Sequence, residues 1–158
     1  MEINELVSLF ENFSQTVIDP QFEQHTSLYS KGGWEGWAQV EAAKYFMNKG
    51  IPVDRELNVD GKRIDLLINK EWFVELKCHS IENSQNLIPG VIKDMIKLQG
   101  TNQPRNPKAV IFWTLGDIGD VNGNIQAILN KTPANITYNF IEFRLKGGWA
   151  KLHVYALS

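Results

Sequence analysis

The chain has 158 residues, 43% of them hydrophobic, which suffices for one buried core but not for two domains. Its net charge of −2 argues against tight passive binding to a long duplex, which calls for a basic surplus, and favours a small nucleic acid, a transient contact or a regulatory protein partner. A single cysteine, Cys78, excludes an internal disulfide, and no run reads as a signal peptide or membrane span, so the expected setting is cytoplasmic, with no membrane partner.

Met1 to Phe13 reads as an amphipathic packed helix, with Ile3, Leu6, Val7, Phe10 and Phe13 on one side. Asp19-Pro20 through Lys31-Gly32-Gly33 reads as a turn-rich connection. Trp34 to Met47 reads as a helix: Trp34, Trp37, Ala38, Ala42, Tyr45 and Phe46 recur at three- and four-residue steps, and Gly50 and Pro52 lie just past its end. Glu41 falls inside that apolar stripe, where a carboxylate needs a reason. Val53 to Val59 gives a first strand, followed by the hairpin signal Asp60-Gly61. Arg63 to Ile68 and Trp72 to Cys78 are two further strands, joined by the polar connection Asn69-Lys70-Glu71.

Ser80 to Gln85 is polar, and Ile88 to Gln99 is a second amphipathic helix, with Val91, Ile92, Met95 and Leu98 buried and Lys93, Asp94 and Lys97 exposed. Ala109 to Leu115 is a near-continuous apolar run, expected as a central strand covered on both faces. A Gly- and Asp-rich loop from Gly116 to Gly123 leads to a short helix, Asn124 to Asn130, and Ile136 to Leu145 and Ala150 to Leu157 form a terminal hairpin across Lys146-Gly147-Gly148. The chain therefore divides into an N-terminal helical extension (1–33), a motif-bearing core (34–115) and a C-terminal helix and hairpin (116–158), all within one domain.

The chemistry concentrates in the central strands. Glu75 and Lys77 are two residues apart on a strand and share a face with Phe73, while Trp72, Val74, Leu76 and Cys78 make the opposite, apolar face. A hairpin brings Asp65 beside Glu75. Two adjacent carboxylates repel and recruit a divalent cation, and Mg²⁺ is satisfied by one or two protein carboxylates plus water and phosphate oxygens. A lysine beside them can orient or deprotonate a metal-bound water, or steady phosphorane charge. The competing reading makes Glu75 and Lys77 ordinary charges on a solvated sheet face. Cys78 points into the apolar side and reads as core, and His25, His79 and His153 lack the spacing of a structural zinc site. Trp149, after Gly147-Gly148, is a candidate for stacking on a base.

A helix carrying Gln39-Val40-Glu41, a strand with Arg55-Glu56, then Ile64-Asp65 and Val74-Glu75-Leu76-Lys77 resembles the PD-(D/E)XK nuclease superfamily, including small resolvase-type and bacterial toxin nuclease domains. The chain departs from that pattern in having Ile64, not proline, before Asp65. The resemblance spans roughly half the chain, residues 34–115. It implies an α/β fold: a three-layer α/β/α restriction-endonuclease-like core with a central mixed β-sheet, an N-terminal helix and a C-terminal β-hairpin. It further implies a Mg²⁺- or Mn²⁺-dependent endonuclease that hydrolyses phosphodiesters, with DNA favoured over RNA. Asp65, Glu75 and the Leu76 carbonyl would hold the metal, Glu41 would reach it directly or through water, and Lys77 would position the attacking water. Glu35 would replace Glu41 if the helix rotates otherwise, and Gln39, Lys97 and Gln99 would stand around the ligands. Lys93 and Trp149 would contact nucleic acid. The alternatives are an inactive nuclease-fold binding or immunity module and an RNA-cleaving toxin domain held by an inhibitor protein. A homodimer is compatible with either.

Overall fold

The computed structural model describes residues 1–24, 34–80 and 84–158. Within them the chain is a mixed α/β structure built on one six-stranded sheet. The strands are β1 (Val53–Val59), β2 (Lys62–Ile68), β3 (Trp72–Cys78), β4 (Lys108–Leu115), β5 (Tyr138–Arg144) and β6 (Ala150–Leu157), in the spatial order β1-β2-β3-β4-β6-β5. Only β3 and β4 run parallel, so a long crossover must join them, and it contains helix α4 (Ser84–Gln99). The remaining pairs are antiparallel, which makes the sheet mixed.

Two tight turns set the register of the first three strands. Asp60 and Gly61 take φ of 53° and 75°, and Asn69 and Lys70 take 54° and 58°. Two consecutive positive φ values match the right-handed strand twist, and Asp, Asn and Gly bear them at least cost.

The apolar alternation of the central strands divides the core between the two sheet faces. Val74, Leu76, Ile111 and Trp113 turn to one face, where they meet α1 (Ile3–Phe13) and α3 (Trp34–Asn48). Phe73, Val110, Phe112 and Tyr155 turn to the other, where they meet α4 and α5 (Val121–Leu129). Trp113 is fully buried, donates its indole N–H to Ser14 Oγ at 2.8 Å, and packs its ring against Phe10, Phe13 and Trp34. That aromatic group ties the N-terminal helix to the central strand.

Three expectations need correction. Residues 19–24 are not a connection but helix α2 (Asp19–Gln24), reached from α1 through a π-helical turn at Ser14–Ile18. Pro20 follows directly on that π-helical turn, whose last bond runs from the Asp19 N–H to the Ser14 carbonyl. The rest of the proposed connection, 25–33, lies outside the described residues. Helix α4 begins at Ser84, whereas a start at Ile88 was expected; Pro89 is its sixth residue, inside the helix, where it removes the N–H that would bond the Gln85 carbonyl. Residues 81–83 of the expected polar segment also lie outside the description. Helix α5 begins at Val121, because the Asp120 side chain accepts the Gly123 N–H at 2.9 Å and caps it.

Candidate active site

A local irregularity in β1 and β2 places the first carboxylate. The β1–β2 ladder pairs Arg55 with Leu66 and Leu57 with Ile64, and the pair between them, Glu56 opposite Asp65, is missing. Glu56 has φ of 54°. Leu66 and Ile68 turn to the α1–α3 face while Ile64 turns to the α4–α5 face, so the side-chain alternation of β2 inverts at Asp65. The β2–β3 pairing reaches only Leu66 with Val74. Beyond it the Asp65 carboxylate takes over from backbone and accepts the Leu76 N–H at 2.8 Å. In an extended strand a residue's N–H and C=O lie on the same edge, so the Leu76 carbonyl faces Asp65 as well.

Glu75 and Lys77 follow Phe73 onto the α4–α5 face. Glu75 is 1% exposed, and its Oε2 accepts from Lys97 Nζ at 2.5 Å. Its Oε1 is buried with no hydrogen-bond donor among the described residues. Lys97 also donates to the Arg63 carbonyl at 3.1 Å and lies 3.7 Å from Asp94 Oδ1. Lys77 Nζ sits 3.0 Å from Asp94 Oδ2 and 3.6 Å from Glu35 Oε2. At that distance the Lys77 ammonium and the Asp94 carboxylate form a direct ion pair. Glycine at position 90 of α4 makes room for this lysine: a Cβ there would stand 3.3 Å from Lys77 Cε.

Four carboxylates thus face two ammonium groups, Lys77 and Lys97. The imbalance and the burial set the protonation. Burial raises the Glu75 carboxyl, and the neighbouring Asp65 charge adds to it, to about 8, against the bond from Lys97. Burial also raises Asp65, partly offset by the Leu76 N–H. Glu35 is raised by burial too, with Lys77 and a backbone hydrogen bond at Cys78 opposing. Burial works to lower Lys77, but Asp94 and Glu35 outweigh it and the net direction is upward. Lys77 is therefore an ammonium at neutral pH, a donor and not a base. The Cys78 thiol is pushed well up by burial, which removes it as a nucleophile.

The expected site residues fall into two groups. Asp65, Glu75, Leu76, Lys77 and Lys97 are brought together, with Glu35 from the first turn of α3. Gln39, one turn after Glu35 on the same side of that helix, is buried. Glu35, and not Glu41, reaches Lys77, which corrects the role expected of Glu41. Glu41 follows Glu35 by six residues, about 240° further round the helix, and its ion-pair partner is Lys44 at 3.9 Å. Gln99 is also placed elsewhere: its amide donates to the Ser158 carbonyl at 3.1 Å. Lys93 lies on the exposed side of α4. Trp149 is 57% exposed, and its carbonyl accepts from Gly116 just past the end of β4, so it stands at the same end of the sheet as Lys77.

Asp94 was expected on the solvated face of its helix and is instead 6% exposed at the centre of the cluster. A signal was present in the sequence. On a helical wheel Asp94 falls about 40° from Leu98 and about 60° from Val91, at the edge of the buried stripe.

No protein-family model matches the chain, and neither the curated proteins nor the solved structures compared with it give a match. The site must therefore be judged on its own chemistry. Among the described residues no group of three His, Cys, Asp or Glu side chains is arranged to hold a metal ion. A hard cation of the Mg²⁺ type needs fewer, since it keeps several waters and takes one or two carboxylates. Asp65, Glu75 and the Leu76 carbonyl fit that demand: all donors are oxygen, and Glu75 Oε1 lacks any partner.

Proposed function

We propose that the chain is a divalent-metal-dependent nuclease of the PD-(D/E)XK type, with the three-layer restriction-endonuclease-like core and DNA as its favoured substrate. The observation that carries the reading is the buried, donor-free Oε1 of Glu75, on the residue beside the Asp65–Leu76 contact and two positions before Lys77. Asp65, Glu75 and the Leu76 carbonyl would hold Mg²⁺ or Mn²⁺. Once bound, such an ion polarises a phosphodiester and lowers the pKa of a coordinated water.

The protein's own groups do the remaining work. Asp94 and Glu35 hold the Lys77 ammonium from two sides, which aims it and keeps it charged. So held, it donates to the attacking water or to a phosphate oxygen and steadies the negative charge that develops there. Lys97 hydrogen-bonds Glu75 while no cation is bound, which limits the cost of holding that carboxyl group in the core.

The test is incubation with plasmid, single-stranded DNA and tRNA, in Mg²⁺ and in chelator, for the parent and for Glu75→Gln. Metal-dependent cleavage that vanishes in the variant is the expected result. Cleavage of none of the three, or cleavage that survives the substitution, overturns the reading.

One observation favours a second reading, a nuclease-fold binding module without chemistry. Both lysines already pair with carboxylates inside the cluster. That reading predicts melting indifferent to Mn²⁺ and a loss of stability when Glu75 is neutralised.

A further inference from the structure

At the opposite end of the sheet from Lys77, where α4 stops at Gln99 and β4 begins at Lys108, lies a second concavity of about 490 Å³. It is about 13 Å along the strand from the level of Lys77, since Lys108 pairs with Phe73 and four residues separate Phe73 from Lys77. It is thus separate from the cluster described above. Arg105 and Lys108 line it, and no Asp or Glu does.

Strand alternation aims Lys108 into this space. Its neighbour Ala109 packs on the α1–α3 face, so Lys108 turns to the other face, alongside Leu157, its partner on β6. There α4 has ended and leaves the space uncovered. Lys108 is 8% exposed and has no ion-pair or hydrogen-bond partner for its ammonium among the described residues. Burial lowers its pKa with no neighbouring charge to oppose the shift. The Lys108 stem is buried while its ammonium opens on the cavity, so the charge is presented to whatever fills it.

The other donors around the cavity are committed. Gln99 donates to the Ser158 carbonyl, Thr101 to the Leu98 carbonyl at 2.8 Å, and Asn106 to the Glu71 carbonyl at 2.8 Å. The free donors are Lys108, in the wall, and the exposed Arg105, on the Pro104–Pro107 loop. One point charge and one planar fork suit a tetrahedral oxyanion with several acceptor oxygens.

We infer that this cavity is a phosphate-type oxyanion site, with Lys108 as the counter-charge in its wall and Arg105 as its outer clamp. The inference does not depend on the nuclease reading. The phosphate can be a free ion or a group carried by a nucleic acid, and the two are separable.

The test uses the full chain in chelator, so that no metal contributes. Melting temperature and calorimetric Kd are measured with sodium phosphate, with sodium chloride at matched ionic strength, and with short oligothymidines with and without a 5′-phosphate. Saturable stabilisation by phosphate beyond chloride is expected, and Lys108→Met should weaken Kd about tenfold or more, the loss of a charged hydrogen bond. Lys108→Met should melt in chloride close to the parent, because it keeps the length and the buried apolar stem of a side chain that has no ion pair to lose. Should it fail to fold, Arg105→Gln, at an exposed position, should weaken phosphate binding several-fold. Glu75→Gln should keep the full phosphate response, which separates this site from the proposed catalytic one. Binding of the unphosphorylated oligonucleotide assigns the site to backbone phosphates; binding of phosphate and the 5′-phosphorylated form alone assigns it to a monoester. Phosphate and both oligonucleotides behaving as chloride, or a gain unchanged by the Lys108 and Arg105 substitutions, overturns the inference.

Discussion

Glu75 is the residue on which most of the site's electrostatics turn. Its carboxyl is raised to about 8 by burial and by Asp65, from an ordinary value of 4.5. An acid whose folded pKa lies above its unfolded one stabilises the fold fully below the lower value and loses that contribution as pH rises through the higher. Without metal, the protein should therefore lose stability between about pH 4.5 and pH 8 on account of this group, with Asp65 and Glu35 acting in the same direction. Glu75→Gln should flatten that slope and match or exceed the parent's melting temperature at pH 8; a variant with an unchanged slope would contradict the assignment. His153 works the other way. It is fully buried, stacks on Phe112 at 4.6 Å, and its Nε2 lies 2.8 Å from Thr114 Oγ1. Burial and Lys151 hold its pKa down, to about 3. Its contribution is present above pH 6.5 and is lost as pH falls toward 3. His153→Gln should blunt the acid limb of a melting-temperature profile. Lys77 is an ammonium between two acids, so Lys77→Met should cut the rate of any nuclease activity by about 10²–10⁴. Metal affinity should be unchanged or tighter, because a nearby positive charge is removed. A rate that barely changes would remove Lys77 from the mechanism.

At the level of elements, the site depends on how three of them end or interlock. Strands β2 and β3 part at Asp65, the first turn of α3 overhangs the end of β3, and α4 brings Asp94 and Lys97 down onto Glu75 and Lys77. Gly90 leaves room for the Lys77 side chain against α4. Gly90→Ala should gain helix propensity, about 0.5–1 kcal/mol, and lose position, because the added Cβ presses on Lys77 Cε at 3.3 Å. The expected outcome is a melting temperature within a few degrees of the parent with activity reduced several-fold. Circular-dichroism melts and nuclease rates on the same preparation check it, and undiminished activity would show that the lysine does not need that room. The α1–α3 side answers differently. Phe10 is fully buried and packs on Phe46 at 5.0 Å and Trp113 at 6.4 Å. Phe10→Ala should cost about 3–5 kcal/mol by denaturant unfolding while leaving the cluster on the other face in place. A cost below 1 kcal/mol would mean that α1 is not integral to the core.

For the molecule as a whole, the decisive property is its response to a cation. A ligand that binds only the native state stabilises it by mass action, by about 2.7 kcal/mol at a hundred times its Kd. Rising Mn²⁺ should raise the melting temperature of the parent progressively, and Asp65→Asn or Glu75→Gln should abolish the gain. A parent indifferent to millimolar Mn²⁺ would count heavily against the nuclease and for the binding module. No helix among the described residues is long and apolar enough to cross a membrane.

Local chemistry was enough to read much of this architecture from sequence. Short apolar and β-branched runs gave β2, β3 and β4, Asp60-Gly61 and Asn69-Lys70 gave the turns between strands, and the spacing of Ala38, Ala42 and Phe46 gave α3. Those features depend on neighbours a few residues away, so a one-dimensional pattern contains them. The pairing of Glu75 with Lys77 on one face follows from the same periodicity. What the pattern could not supply was rotation and approach between elements. The roll of α3 decides between Glu35 and Glu41, and it is set by Trp34, whose ring packs at a tilt against Trp113 and whose indole donates to the His79 carbonyl at 2.9 Å. The burial of Asp94 depends on α4 lying over β3, where two lysines from different elements compensate its charge. The uncompensated Lys108 depends on where α4 stops relative to β4. Sequence by itself determined the strands, the turns and the candidate acids. Only the tertiary structure decided which charges meet, because helix rotation and helix ends are set by packing between residues tens of positions apart.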